Sequence, residues 1–367
     1  MRTVRIVHTG DLHIDCRFSN LPLEKSKIRR QELKTSFKNA LDICGKADIV
    51  LIAGDIFDNA NFTKDSINFV NGIFEKHPDT TFFISFGNHD CYHSPACEAL
   101  LRSLPDNAVV FSDKAEYMEL DDIKTRVYGM SFSSKYQYES MMNEFEVIND
   151  DYINILLLHG DLVADGAQSR YNPISVSQIE KSGFDYVALG HTHDYSGIQL
   201  AGDTYYAYCG APEPHGFDEC GDKGVICGEV GKGFCRLAFK NTAIRRYHCV
   251  SVDVTAAYSL DDVIAMVRGA VSCADDFYRI TLCGTLNEAV SLDTALIEKD
   301  IDAFFLTVTD ETRRSYNLDE LAQGSGLMAF VARNVLGELR DCSDDEVSSV
   351  CAASDYLFDM IDSGGKR

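Results

Sequence analysis

The chain contains no tryptophan, only seven prolines, and far fewer basic than acidic residues, 34 Lys+Arg against 57 Asp+Glu in 367 positions. The resulting formal charge of -23 excludes recruitment of nucleic acid by bulk electrostatics, because phosphate contacts need clustered Lys and Arg. Without Trp, any stacking on a base falls to Tyr or Phe. No segment approaches the ~20 apolar residues of a membrane span. The opening Met-Arg-Thr-Val-Arg-Ile-Val-His enters a strand-like run with no leader-type apolar stretch. A cytoplasmic protein with no membrane association is therefore expected. The thirteen cysteines, scattered from Cys16 to Cys351, form no C-x-x-C pair; an odd, dispersed set argues against a disulfide scaffold and for reduced thiols. At 45% hydrophobic and 25% charged residues, the chain is too apolar to be disordered and long enough for a full core plus a smaller second domain.

Five segments share one grammar, an apolar, β-rich run followed at once by small and metal-compatible polar residues. Val4 to His8 precedes Gly10-Asp11-Leu12-His13, Ile49 to Ala53 precedes Gly54-Asp55, and Thr81 to Phe86 precedes Gly87-Asn88-His89-Asp90. Ile153 to Leu158 precedes His159-Gly160-Asp161, and Tyr186 to Leu189 precedes Gly190-His191-Thr192-His193. Runs this apolar predict strands buried on both faces, and polar residues at the ends of several such strands converge where α/β sheets place their ligands. The spacing of Leu33, Phe37, Ala40, Leu41 and Cys44 predicts a helix over Glu32 to Cys44 capped by Gly45, and a second helix runs from about Thr63 to before Pro78. Residues 196–250 carry short alternating runs rich in glycine, expected to form a β-meander in a second sheet layer.

Residues 1–245 thus read as one α/β sandwich domain. Residues 246–312 follow as a strand–helix–strand–helix–strand unit of the split βαβ type, and 313–367 as a helical segment. Two helices are expected there, Leu318 to Leu339 and Asp344 to Ile361, the second announced by Ser343-x-x-Glu346. Their apolar stripes either pack on each other or offer a face to a partner.

Asp11, His13, Asp55, Asn88, His159, His191 and His193 offer carboxylate, amide and imidazole donors just past strand ends. That mixture suits a pair of divalent cations such as manganese, iron or zinc rather than calcium or a thiolate zinc site. A metal pair can polarise a phosphoryl oxygen and supply a nucleophile near neutral pH, and Asp55 is the candidate for a shared carboxylate. His8, inside a strand, reads as a satisfied core histidine. Tyr92 and His93, following the Gly-Asn-His-Asp loop, are candidates for substrate contact. The basic run Lys25, Lys27, Arg29, Arg30, Lys34 and Lys38 is a solvated helix face or the best local candidate for backbone phosphate contacts.

Asp11-x-His13, Gly54-Asp55-x-x-Asp58, Gly87-Asn88-His89-Asp90, His159-Gly160 and Gly190-His191-x-His193 resemble the five signature motifs of the calcineurin-like metallophosphoesterases. Arg29-Arg30, and Gly210-Ala211-Pro212-Glu213 followed by Phe217-Asp218-Glu219 and Lys223-Gly224, make the chain similar to SbcD-type DNA repair exonucleases and their YhaO-like branch. The resemblance covers roughly residues 1–240. It implies a four-layer αββα metallophosphoesterase sandwich with a small C-terminal α+β cap and terminal helices. Asp11, His13, Asp55 and His193 would hold one ion and Asp55, Asn88, His159 and His191 the other, with Mn(2+) the usual ion and Fe, Zn or Mg alternatives. His89, held by Asp90, would donate a proton to the leaving oxygen or stabilise the transition state. His215 stands where relatives often carry an Arg and is the candidate for phosphate contact there. The implied function is exonuclease, and also single-strand endonuclease, action on DNA beside a coiled-coil, SMC-like ATPase (SbcC/YhaN-like), with homodimerisation compatible. Two alternatives remain open at this point: a phosphodiesterase or phosphatase on nucleotides or other small phosphoesters, and a non-catalytic scaffold.

Overall fold

The computed structural model describes residues 2–59, 62–287, 290–314 and 316–362, and the chain forms two compact units, Met1–Arg246 and Tyr247–Arg367. In the first, the strands Thr3–Thr9, Ile49–Ala53, Thr81–Ser85 and Ala108–Val110 lie parallel in that order. Period-two alternation in these apolar runs gives both sheet faces a hydrophobic surface. Val4, Ile6, Ile49, Leu51 and Phe83 point to one side, where they meet Ile153, Ile155, Leu157 and Tyr186 of a second sheet. Val7, Val50 and Ile52 point to the other side, covered by Phe37, Leu41, Val70 and Phe74 of the helices Leu23–Cys44 and Lys64–Glu75. The second sheet is built on parallel Thr125–Gly129, Ile153–His159, Tyr186–Gly190 and Thr204–Tyr208. Its outer face takes Ile179 of the helix Val176–Ser182. The order of layers is therefore helix, sheet, sheet, helix.

Three details depart from the sequence reading. The first helix begins at Leu23, nine residues early, and Arg29 on it is fully buried. Its guanidinium donates to Glu32 and Glu213 at 2.6 Å and to the Pro214 carbonyl at 2.7 Å, so at this position the basic run is neither solvated nor available to DNA. The meander of residues 196–250 divides between the sheets. Gln199–Ala201 and Thr204–Tyr208 extend the second sheet, whereas Gly224–Gly231 and Phe234–Asn241 return to the first, pairing antiparallel beside Thr3–Thr9.

His8 is buried between the sheets, its Nδ1 2.8 Å from the Tyr186 hydroxyl and its Nε2 3.2 Å from the Leu189 carbonyl. Both ring nitrogens are satisfied in a neutral imidazole, as expected of a core histidine. Burial holds its pKa at about 3, against an ordinary 6.5, although the bond to Leu189 opposes the shift. The unfolded chain therefore binds one more proton than the folded one between those values. Stability is complete above pH 6.5 and declines as the pH falls towards 3. Chemical denaturation of wild type should show a pH slope steeper than that of His8→Gln by about 1.4 kcal/mol per pH unit in that interval; identical slopes would show that His8 charges freely in the folded state.

The second unit is not a split βαβ. Tyr247–Asp253, Phe277–Cys283 and Phe305–Asp310 lie parallel in chain order, with the helices Leu260–Ala270 and Thr294–Asp300 as the crossovers. Val252, Val263, Val267, Ile280, Leu282, Ile297 and Val308 form its core. The expected first terminal helix is two, Leu318–Gln323 and Leu327–Asp341. The break falls at Gly324-Ser325-Gly326, where Gly326 adopts φ 93°, a backbone that favours glycine. The helix Asp344–Asp362 follows. Among the described residues no helix is long and apolar enough to cross a membrane, and all thirteen cysteines are free.

Candidate metal centre

Parallel strands of both sheets deliver their C-terminal ends to one edge, so the five loops meet there. Four candidate ligands sit in backbone that side chains other than glycine rarely adopt: Asp11 (φ 50°), His13 (φ 42°), Asp55 (φ 48°) and His191 (φ 104°). Such conformations cost of order 1–3 kcal/mol each and persist where the surroundings over-determine them. Here hydrogen bonds between loops do so. Asp11 N–H donates to the Gly54 carbonyl and His13 N–H to the Asp55 carbonyl, both at 3.0 Å, and His191 N–H donates to the Asp11 carboxylate at 3.1 Å. Gly87 is needed for space, because a Cβ there would meet Asp55 Oδ1 and His159 Nε2.

The tautomers follow from the network. His159 Nδ1–H donates to the Ala53 carbonyl at 2.8 Å, which leaves Nε2 as the nitrogen that can take either a proton or an ion. That nitrogen lies 3.0 Å from Asn88 Oδ1, 3.2 Å from His191 Nδ1 and 3.4 Å from Asp55 Oδ2. His191 Nε2 faces Asp161 Oδ1 at 3.1 Å, so its Nδ1 presents a lone pair. Beside this cluster, His193 Nδ1–H donates to Glu219 Oε1 at 2.6 Å, and its Nε2 lies 3.2 Å from His13 Nε2 and 4.0 Å from Asp11 Oδ1. His13 Nδ1 faces Asp58 Oδ1 at 3.6 Å, while its Nε2 is 3.8 Å from Asp55 Oδ2. Two knots of donor atoms thus share the Asp55 carboxylate, an arrangement that suits two cations. Donor atoms of Asp11, His13 and His193, and of Asp55, His159 and His191, lie within 4.8 Å of one another.

The field points the same way. Burial works against the charged form of His159, yet Asp55 and Asp11 push its pKa up to about 9. His193 likewise rises to about 9 against its burial, through Glu219, Asp11 and Asp55. Burial opposes ionisation of Asp55, but His159, His13 and His89 hold it well below the usual carboxylate range. A potential that draws protons to these rings also favours a divalent ion. When bound, such ions supply Lewis acidity towards a phosphoryl oxygen and a nucleophile near neutral pH.

His89 stands exposed at the rim, its ring centroid 4.8 Å from that of His13. Its Nδ1–H donates to the Asp58 carbonyl at 2.7 Å, which fixes the ring through that nitrogen and not through Nε2. Asp90 does not hold this ring, contrary to expectation. Its buried carboxylate accepts from Ile56 N–H at 2.7 Å, Gly87 N–H at 2.9 Å and Phe57 N–H at 3.2 Å, fastening the third ligand loop to the second. Burial and the Asp55 charge raise its pKa, while the N–H donors from Gly87 and Phe57 oppose the rise.

Tyr92, expected from sequence to touch substrate, is half-buried, packs against the first core and meets His93 edge-on, 5.3 Å between centroids. His215 does reach the cluster, its ring 4.9 Å from that of His13, with Nδ1 3.1 Å from Glu219 Oε2.

Three supporting residues were quoted in motifs but given no role by the sequence reading. Glu219 accepts from both His193 and His215, and Asp161 takes His191. Lys223 is buried, donates to the His193 carbonyl at 3.0 Å and pairs with Asp194. Each stood in a quoted motif: Asp161 directly follows His159-Gly160, Glu219 ends Phe217-Asp218-Glu219 and Lys223 opens Lys223-Gly224.

Residues 4–195, more than half of the chain, match the calcineurin-like phosphoesterase family. The chain is 27% identical to the uncharacterized metallophosphoesterase YhaO of Bacillus subtilis over 345 residues, 86% of this chain and 83% of that protein. It is 21% identical over 280 residues to the DNA double-strand break repair protein Mre11 of Methanopyrus kandleri, 71% of this chain and 59% of that protein. The matched span carries all five loops of candidate ligands and ends just past His193, so the family likeness and the paired donor knots fall on the same residues: this chain belongs to the calcineurin-like phosphoesterases.

Proposed function

We propose that the chain is a DNA nuclease subunit that hydrolyses phosphodiester bonds with two divalent ions, manganese foremost, in the cytoplasm. The observation that carries this reading is the pair of donor clusters hinged on Asp55, in a chain that aligns over 71% of its length with a protein named for DNA double-strand break repair. In this reading Asp11, His13, Asp55 and His193 hold one ion and Asp55, Asn88, His159 and His191 the other. His89 Nε2 passes a proton to the leaving oxygen, and His215 lies at the phosphate side of the first cluster. The charge of -23 then calls for a partner that supplies basic surface, and a coiled-coil ATPase fills that place. Support comes from the terminal helices, where Leu327 (62%) and Phe330 (60%) are exposed while Ala329, Ala332 and Val335 turn inward.

Incubation of the purified protein with linear duplex, circular single strands and a panel of nucleotides, with and without manganese, tests the reading. Manganese-dependent degradation of DNA is expected, with weak binding by the isolated chain and a salt dependence far shallower than that of proteins making ~6–10 phosphate contacts. Hydrolysis confined to nucleotides would replace the nuclease with a small-phosphoester enzyme.

A further inference from the structure

A groove of about 770 Å³, within the size range of a ligand site, is lined by Tyr138, Ser169 and Arg170. A row of rings runs towards it from His191: Tyr171 at 4.9 Å between centroids, Tyr136 at 5.9 Å from Tyr171, and Tyr138 at 6.2 Å from Tyr136. Tyr136 and Tyr138 are 38% and 62% exposed, large apolar surface for which the phosphoester chemistry has no use. The row is held in place. Gln137 N–H donates to the Arg170 carbonyl at 2.8 Å and Asn172 N–H to the Gln137 carbonyl at 2.6 Å, stitching the two loops together. Ser169, on the groove wall, donates to Asp161, which in turn holds His191.

In charge this wall differs from the rest of the chain. Glu139 and Arg170 are the only Asp, Glu, Lys or Arg residues that line it, and no ion pair of Arg170 occurs among the described residues. Lys135 lies 5.7 Å from the Tyr136 ring. A hydrogen-bonding, nearly neutral groove with Tyr138 in its wall, continued by the Tyr136 and Tyr171 rings, suits bases better than phosphates, because every base offers a π-face to a Tyr. We propose that Tyr171, Tyr136 and Tyr138 form a stacking track for nucleobases of a single strand whose phosphate lies at the metal centre, with Arg170 and Gln168 meeting base edges. The inference rests on the nuclease reading and adds to it the residues that would hold the bases of an unpaired strand, and with them a means by which an acidic chain can hold DNA.

The test uses the full chain as wild type, Tyr138→Ala, the Tyr136→Ala/Tyr138→Ala double variant and the matching Phe variants. Fluorescence anisotropy reads binding of a short nuclease-resistant phosphorothioate strand, its abasic counterpart and a competing deoxynucleoside monophosphate. The double variant should lose ~10-fold or more in affinity for the base-bearing strand, with hydrolysis of a small aryl phosphodiester unchanged. The Phe variants should bind as wild type, and the abasic strand should bind wild type as weakly as the base-bearing strand binds the double variant. Equal affinity of wild type and the double variant for the base-bearing strand overturns the track, as does equal affinity of wild type for the abasic strand. If the chain cleaves no DNA but the double variant loses monophosphate binding, the track stands and the nuclease reading fails. If wild type and double variant both cleave DNA and bind the base-bearing strand with equal affinity, the reading stands and the track fails.

Discussion

Asp55→Asn should abolish nearly all phosphodiester hydrolysis and leave a protein that no longer retains two metal ions. One carboxylate faces both clusters: Oδ1 accepts His89 N–H at 2.9 Å, while Oδ2 lies 3.4 Å from His159 Nε2 and 3.8 Å from His13 Nε2. Asn preserves the size of the side chain but removes the charge and turns an N–H₂ towards lone pairs or ions. The loss should exceed the ~10–100-fold typical of removing an outer hydrogen-bond partner of a metal ligand, because two coordination spheres are disturbed together. Metal stoichiometry on the purified variant, beside turnover of a small aryl phosphodiester, measures both effects. Two bound ions with wild-type turnover would remove Asp55 from the bridge.

His89→Ala should separate catalysis from metal binding. The ring is exposed and anchored by its own Nδ1 to the Asp58 carbonyl at 2.7 Å, so its removal leaves the buried donors intact. Turnover should fall by ~10²-fold or more, the scale of a positioned general acid, with both ions retained and activity partly restored by added imidazole. The geometry also contains the rival role, since donor atoms of His89, Asp58 and His13 lie within 4.8 Å of one another. An ion lost together with the ring would make His89 a ligand and end its assignment as proton donor.

The sequence alone determined which loops carry the candidate ligands. Apolar runs such as Ile49–Ala53 and Tyr186–Gly190 are buried on both faces, and that burial is written in local composition. The donors follow each run directly, so strand ends and candidate ligands could be read together. Helix Lys64–Glu75 was equally legible, because Thr63 caps it locally by accepting from Ser66 N–H.

Tertiary structure decided which donors face one another and what holds them. Asp90 sits beside His89 in the chain, yet its carboxylate serves backbone N–H groups more than thirty residues away, since a fully buried carboxylate must find fixed donors wherever the fold brings them. Glu219 orients His193 across 26 positions, and Arg29, read locally as part of a solvated basic face, meets Glu213 across 184. The tyrosine row brings Tyr136 and Tyr138 to Tyr171 through loop pairing at Gln137. No local period encodes such pairings, because they form only when sheets have stacked and loops have closed over one edge. The same holds for the meander that divided between two sheets and for the second unit's consecutive parallel order: strand patterning fixes which face is buried, while partner choice depends on the packing of the whole layer.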